Sequence, residues 1–184
     1  MNNDKQIEIK LSKSKLTLSL IGSATFVGLG IWFLLRTPTS NIAPFNSSIF
    51  IKVVGIISIL FFGIVFIFLI KKLQDKKPGL IITDTGIIDN SSGVSAGIIP
   101  WSDISEIKLR KVFNQKFLML LVNNPQDYID RQTNSLKRST MGINYRSYGS
   151  PIAISTNGLA CKFDELKNIL ENKLTEFNAN RQNV

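Results

Sequence analysis

The chain has 184 residues, and its 22 Lys and Arg against 13 Asp and Glu give a formal net charge of +9. It contains no histidine and one cysteine, Cys161. These counts exclude a histidine-based acid–base or metal site, an intramolecular disulfide and a cysteine-rich zinc site. The charge is distributed unevenly, because residues 16–70 carry only Arg36 and Lys52. This asymmetry favours a membrane protein with polar flanks.

Two apolar runs, residues 16–35 and 51–70, are each long enough to form a membrane span. At about 1.5 Å rise per residue, twenty residues cover the roughly 30 Å hydrocarbon core of a bilayer. The first run is longer than the apolar core of a cleaved signal peptide, about 7–15 residues, so we expect it to be retained. The sequence therefore predicts a transmembrane helical hairpin over residues 16–70, with a loop at 36–50.

Basic residues predict the orientation of this hairpin, because lysines lie at both of its ends: Lys5, Lys10, Lys13 and Lys15 before it, and Lys71, Lys72, Lys76 and Lys77 after it. By the positive-inside rule, both termini are cytoplasmic and the 36–50 loop is outside, in a multi-pass protein of the inner (cytoplasmic) membrane. Residues 1–15 then form an N-terminal tail and 71–78 a basic juxtamembrane linker. The linker lysines are also a candidate contact with anionic lipid, although topology alone accounts for them.

Glycines in the two spans offer places where the helices approach each other closely: Gly22, Gly28, Gly30, Gly55 and Gly63. Glycine is also simply frequent in membrane helices, and Gly22 and Gly28 do not form a GxxxG motif. The sequence does not select among the five.

After the hairpin, the hydrophobic pattern changes to short β-branched runs separated by turn signals. It predicts strands at 79–83, 86–89, 96–101, 104–113, 117–122 and 152–154, with the 117–122 strand buried on both faces. An amphipathic helix of about 14 residues follows, because Phe163, Leu166, Ile169, Leu170, Leu174 and Phe177 recur at helical spacing. The domain is expected to span 79–178, with a tail at 179–184. This order indicates an α+β fold with a small antiparallel sheet or barrel.

Several segments carry a resemblance, in this order: GLIITDTGIID, IIPWSDISEIKL, KFLMLLVNNPQDYIDRQ, INYRSYGSPIAIS and FDELKNILENKL. Through these segments, the chain resembles a bacterial family of small membrane proteins with two N-terminal spans and a pleckstrin-homology-like (PH-like) cytoplasmic domain. The resemblance covers nearly the whole chain, and IPWSDI, NP-x-x-Y-x-x-R-Q and the GSPI and FDEL pieces are its most specific parts. It implies a PH-like barrel closed by the C-terminal helix.

The WSD motif has a structural and a functional interpretation. Trp101 is interpreted as a core anchor, with Ser102 and Asp103 bonded to local backbone; the alternative is a ligand platform with an acid. The other carboxylates form no recognisable catalytic pair, and phosphate-binding loops and nucleophile motifs are absent from the sequence. Cys161 is expected to be a buried small residue. The sequence thus predicts a non-enzymatic protein without a cofactor or metal.

Residues 124–151 are a polar, basic insertion before the last strand. Asn124 and Pro125 predict a helix start, and the helix is expected to end near Arg138 and to be followed by a loop or edge strand. In one interpretation Tyr128, Ile129 and Leu136 pack in the core. In the other, basic and aromatic residues form a binding face: Arg131, Lys137, Arg138, Tyr145, Arg146 and Tyr148. The two are compatible on opposite faces.

The predicted function is a membrane-tethered PH-like domain that binds a protein partner or anionic lipid headgroups. The alternatives are an immunity protein that neutralises a toxin and a membrane-stress accessory protein. Specific nucleic-acid binding is not expected, because residues 71–184 hold 16 basic and 11 acidic residues, a balance of only +5. Homo-oligomerisation is left open.

Overall fold

A computed structural model describes residues 6–38 and 41–182. The chain forms two compact units. Residues 13–76 form a helical hairpin, whereas residues 1–12 and 77–184 together form a mixed α+β domain. The hairpin is therefore an insertion near the start of the domain, and not a separate module that precedes it.

The hairpin consists of α1 (Lys13–Arg36) and α2 (Ser48–Gln74), which are long and apolar enough to cross a membrane. The predicted runs 16–35 and 51–70 lie inside these helices. The predicted boundaries need correction in two places. The connector is 37–47 and not 36–50, since Ser47 caps α2 by accepting from the Phe50 amide (3.3 Å). The last turn of α2 also includes Lys71 and Lys72, so the 71–78 linker is shorter than predicted.

The two helices contact each other through a stacked aromatic pair, a hydrogen bond and a close approach of two glycines. The Phe26 and Phe62 rings stack with centroids 4.3 Å apart, and the Ser58 hydroxyl donates to the Phe26 carbonyl at 2.9 Å. Gly30 and Gly55 lie where the backbones are closest, because a Cβ on either glycine would be 2.9 Å from the carbonyl oxygen of the other. A Cβ on Gly22, Gly28 or Gly63 would instead meet no atom within 4 Å.

Within residues 6–12 and 77–182, the domain contains seven strands in two antiparallel sheets. The first sheet has the order β1 (Ile7–Ile9), β2 (Leu80–Ile82), β3 (Gly86–Asp89) and β4 (Gly97–Pro100); the second has the order β5 (Ile104–Val112), β6 (Gln115–Val122) and β7 (Ile152–Ile154). Strand β1 corrects the prediction that residues 1–15 are a tail. It pairs with β2 across the whole hairpin insertion, with Glu8 opposite Ile81.

One hydrophobic core joins both sheets and the C-terminal helix α5 (Phe163–Gln182). Leu166, Leu170 and Leu174, spaced four residues apart along one side of α5, are buried in this core. The helix is longer than the predicted 14 residues and continues through most of the predicted 179–184 tail. Lys173 of α5 also pairs with Asp84 in the β2–β3 turn (2.9 Å), and the hydrogen bond raises the pKa of Lys173.

Strand β6 is covered on both faces, as predicted. Leu118 and Leu120 point into the core, whereas Met119 is equally buried but lies outside the core cluster. Its cover comes from the inserted segment, which forms α3 (Pro125–Asp130) and α4 (Ser135–Tyr148). The prediction of one helix ending near Arg138, followed by a loop or edge strand, is wrong. Residues 131–134 are not helical and separate α3 from α4. The side chain of Asn134 caps α4 by accepting a hydrogen bond from the Lys137 amide (3.0 Å), and Gly149, with φ +78°, ends α4.

Candidate functional site

The WSD motif is a structural corner between β4 and β5. Trp101 is 1% exposed, and its indole nitrogen donates to the Thr83 carbonyl at 2.9 Å, which supports its interpretation as a core anchor. The prediction for Asp103 needs correction. Its carboxylate accepts from the Tyr128 hydroxyl (2.8 Å) and the Asn124 amide (3.4 Å), and so connects to α3 rather than to local backbone. The side-chain amide of Asn124 donates to the Asp103 and Asp127 carboxylates, and the side chain makes no capping hydrogen bond to α3.

Tyr128 is held neutral by this corner. Its burial and the hydrogen bond to Asp103 raise the pKa of the Tyr128 phenol well above its ordinary value of 10.0. Because the folded-state pKa is raised, the stabilisation is complete below about pH 10 and is lost as the pH rises further. Alkaline conditions should therefore destabilise the domain partly through this one residue.

The variant Tyr128→Phe tests this corner. It should lower the free energy of unfolding by about 1–3 kcal/mol at neutral pH, because Oδ2 of the half-buried Asp103 carboxylate loses its shorter hydrogen bond and keeps only the Asn124 contact at 3.4 Å. It should also lose stability less steeply than the parent above about pH 10, since the titrating phenol is gone. Urea-dependent proteolysis of the full chain in detergent, at neutral pH and again above about pH 10, measures both effects. The control Tyr145→Phe, on an exposed part of α4, should match the parent at neutral pH. Equal alkaline slopes for Tyr128→Phe and the parent would contradict the assignment.

Arg131, predicted as part of the basic face, is exposed but also has contacts within the fold. Its guanidinium donates to the Ala96 and Ile98 carbonyls at 2.6 and 2.9 Å and lies 4.0 Å from the Tyr128 ring centroid. These contacts fasten the end of α3 to the start of β4. Arg131 therefore stabilises the fold, and the sequence could not show this because its partners are backbone atoms more than thirty residues away.

Arg138 has a structural partner as well. Its guanidinium forms an ion pair with Asp130, and this hydrogen bond holds the pKa of the Asp130 carboxyl below its usual range. The pair joins the end of α3 to the first turns of α4. Both side chains remain about half exposed, so Arg138 still presents positive charge at the surface.

Several solvent-exposed side chains of α4 are basic, apolar or aromatic, and we call this set the α4 face: Leu136, Arg138, Ile143, Tyr145 and Arg146. Leu136 is 74% exposed, which corrects the prediction that it packs in the core, whereas Tyr128 and Ile129 are buried as predicted. Leu136 and Ile143 are seven residues apart and lie on one side of the helix. Sequence reasoning missed Ile143 as an exposed apolar residue, because the segment was predicted to be extended.

The opposite side of α4 borders a groove of about 260 Å³. Tyr148, Asn144 and Thr140, spaced one helical turn apart, face the outer surface of the second sheet at Phe117 and Met119. Tyr148 is thus part of the groove and not of the α4 face. Lys137 is half-buried and, seven residues before Asn144, lies on the groove side of the helix.

The basic residues after the hairpin are not equivalent. Lys72 is buried and pairs with Asp75 at 3.4 Å, whereas Lys71, Lys76 and Lys77 are exposed. Cys161 is only half-buried beside the core, less buried than predicted. Among the described residues, no group of three or more Asp, Glu or Cys side chains could hold a metal ion.

These observations define a mixed α+β protein with two long apolar helices, antiparallel sheets and a C-terminal helix. Comparison with protein-family models, with curated proteins and with solved structures found no match to this chain. Its function must therefore be argued from its own residues.

Proposed function

We propose that this chain is a non-enzymatic protein of the inner membrane whose PH-like domain binds anionic lipid headgroups at the cytoplasmic surface. The antiparallel sheets followed by a core-covering helix support the PH-like architecture that the sequence resemblance implies. The α4 face carries the proposal, because Leu136, Ile143, Arg138 and Arg146 are all solvent-exposed along one helix. A basic helix with exposed apolar residues is suited to the headgroup region of a bilayer.

The connection of the domain to the hairpin supports a function at the membrane surface. Residues 10–12 separate β1 from α1, and residues 75–79 separate α2 from β2. A chain spans at most about 3.3–3.6 Å per residue, so both connectors are short. Because β1 and β2 are hydrogen-bonded neighbours, the chain segments before and after the hairpin belong to one sheet. If the two helices cross the bilayer, both termini lie on one side, in agreement with the orientation proposed from the lysines.

Removing positive charge near the α4 face tests the proposal. The triple variant Lys137→Gln, Arg138→Gln and Arg146→Gln should weaken docking on anionic lipid by about 1 kcal/mol per residue, roughly a hundredfold in total. Arg131 is left unchanged, because it fastens α3 to β4. The full chain is placed in nanodiscs of phosphatidylcholine alone or mixed with phosphatidylglycerol. An environment-sensitive dye is attached at Ser139→Cys in a Cys161→Ser background, since Ser139 is an exposed residue of α4.

In the parent, the dye should move to an apolar environment only in the anionic nanodiscs and should be quenched by spin-labelled lipid. High salt should reverse the change, because the attraction is electrostatic. The matched control removes three charges on or beside α5, with Lys162, Lys167 and Arg181 each changed to Gln, and should dock like the parent. An unchanged dye signal in the α4 triple variant would contradict the proposal. Docking that is independent of lipid charge would favour a protein partner instead.

A further inference from the structure

The turn between β5 and β6 has an unusual residue at its tip. The strands pair as far as Val112 opposite Gln115, so Phe113 and Asn114 form a two-residue loop. The Phe113 backbone has φ +52°, in the left-handed region, and its side chain is 99% exposed. No other large apolar side chain in the described part of the chain is as exposed.

This tip is unfavourable for the stability of an isolated hairpin. Two-residue turns with positive φ prefer Asn, Asp or Gly, because a bulky side chain is strained in that conformation. Lys111 and Lys116 are also direct cross-strand partners, and like charges in that position repel each other. A strained, fully exposed aromatic residue in a turn that Asn, Asp or Gly would favour indicates a functional constraint.

The charges around the tip are almost all positive. Arg110, Lys111 and Lys116 are exposed within three residues of Phe113, and no acidic residue occurs in 107–122. Lys116 lies 3.7 Å from Asp164 and 5.3 Å from the Phe163 ring centroid, which leaves it half exposed. A solvent-facing aromatic ring surrounded by cations matches the interface of an anionic bilayer, where aromatic rings are enriched and basic side chains meet headgroups.

The tip lies beside the groove that α4 borders. Val112, next to Phe113, lines this groove together with Asn144 and Tyr148 of α4. The hairpin tip is therefore a surface feature distinct from the α4 face, which is on the other side of that helix.

We infer that the β5–β6 hairpin is a membrane wedge: Phe113 enters the headgroup–acyl boundary of an anionic bilayer, and Arg110 and Lys111 contact the headgroups. This inference rests on the proposed lipid-binding function and adds a second, separate point of contact. Insertion covers the exposed ring, and anionic headgroups relieve the repulsion between Lys111 and Lys116.

A dye beside the ring tests the wedge while Phe113 stays in place. The label is attached at Asn114→Cys in the full-length Cys161→Ser chain, in the same two kinds of nanodisc. In anionic nanodiscs its emission should shift to the blue, and lipids spin-labelled near the top of the acyl chain should quench it. The control label at Ser102→Cys, at the opposite end of the hairpin, should remain in water. Phe113→Gly should abolish the shift, and Lys111→Gln should reduce it.

The same Phe113→Gly variant should raise the midpoint temperature of unfolding by about 2–5 °C, because it relieves the strained turn. A more stable protein with a lost lipid signal cannot be explained by misfolding. If the label at position 114 stays in water while the label at 139 docks, the wedge is overturned and the proposed function stands. If both labels stay in water in anionic nanodiscs, the proposed function fails as well. A blue shift without quenching by spin-labelled lipid would show a protein contact and overturn the wedge.

Discussion

Replacing Trp101 by alanine is expected to lower the free energy of unfolding of the domain by about 3–5 kcal/mol. Trp101 is among the largest fully buried side chains, and it contacts the core where β4 turns into β5. Its removal leaves a cavity and also deprives the Thr83 carbonyl of its donor. Since domains are typically stable by about 5–15 kcal/mol, this loss is large enough to leave much of the protein unfolded under mild stress.

Two further variants separate the contributions of volume and hydrogen bonding. Trp101→Phe keeps much of the apolar volume but has no N–H donor, so we expect a smaller loss of about 1–3 kcal/mol. Ile98→Ala, in the adjacent strand, removes a side chain that is 66% exposed and should change stability by only about 0.5 kcal/mol. Urea-dependent proteolysis of the full chain in detergent ranks the three. Equal urea midpoints for Trp101→Ala and Ile98→Ala would show that Trp101 is not a core anchor.

Replacing Gly30 by leucine is expected to separate α1 from α2. A Cβ at this position would lie 2.8 Å from the Ile59 side chain and 2.9 Å from the Gly55 carbonyl oxygen. The second of these atoms is backbone, so it cannot move aside without displacing the helix. We expect a loss of about 1–3 kcal/mol or more in the association of the helices, as for other overpacked contacts.

Crosslinking between the helices measures this effect. The rings of Phe26 and Phe62 stack in the parent. When both residues are replaced by cysteine in a Cys161→Ser background, the two cysteines should form a disulfide readily. Gly30→Leu should reduce the yield strongly. Gly28→Leu is the matched control, because a Cβ at Gly28 meets no atom within 4 Å, and its yield should equal that of the parent. Equal yields for the two variants would place the helix contact elsewhere.

Much of the fold follows from local patterns. The β3 and β7 strands occur at the predicted residues, and the amphipathic stripe of α5 is buried as expected. These elements are predictable because a period of two or 3.6 residues directly records which side chains must leave water. Strand β6 was predictable for the related reason that a continuous apolar run requires cover on both faces.

Other elements depend on contacts that no local pattern contains. Strand β1 has only three residues, and its hydrogen-bond partner lies more than seventy residues later. A fragment that begins at residue 79 would therefore lack an edge strand of the first sheet. The α4 helix was missed because its few apolar residues alternate near its end, while its cap and its Gly149 terminus stabilise a helix instead. The structural contacts of Arg131 and Asp103 could not be predicted from the sequence either, because their hydrogen-bond partners are also distant in the chain.

The sequence by itself determined that the chain combines two long apolar helices with an α+β domain, and that the segment 124–151 is basic, aromatic and unlike a linker. These are properties of composition and period, which follow from how apolar side chains are removed from water. Only the tertiary structure decided which glycines bring the helices together, that the hairpin is inserted between two paired strands, and which charges of the segment are used inside the fold. Those outcomes depend on contacts between residues far apart in the chain. They leave Arg138, Arg146 and the exposed apolar residues of α4, together with the tip at Phe113, as the surface available for a ligand.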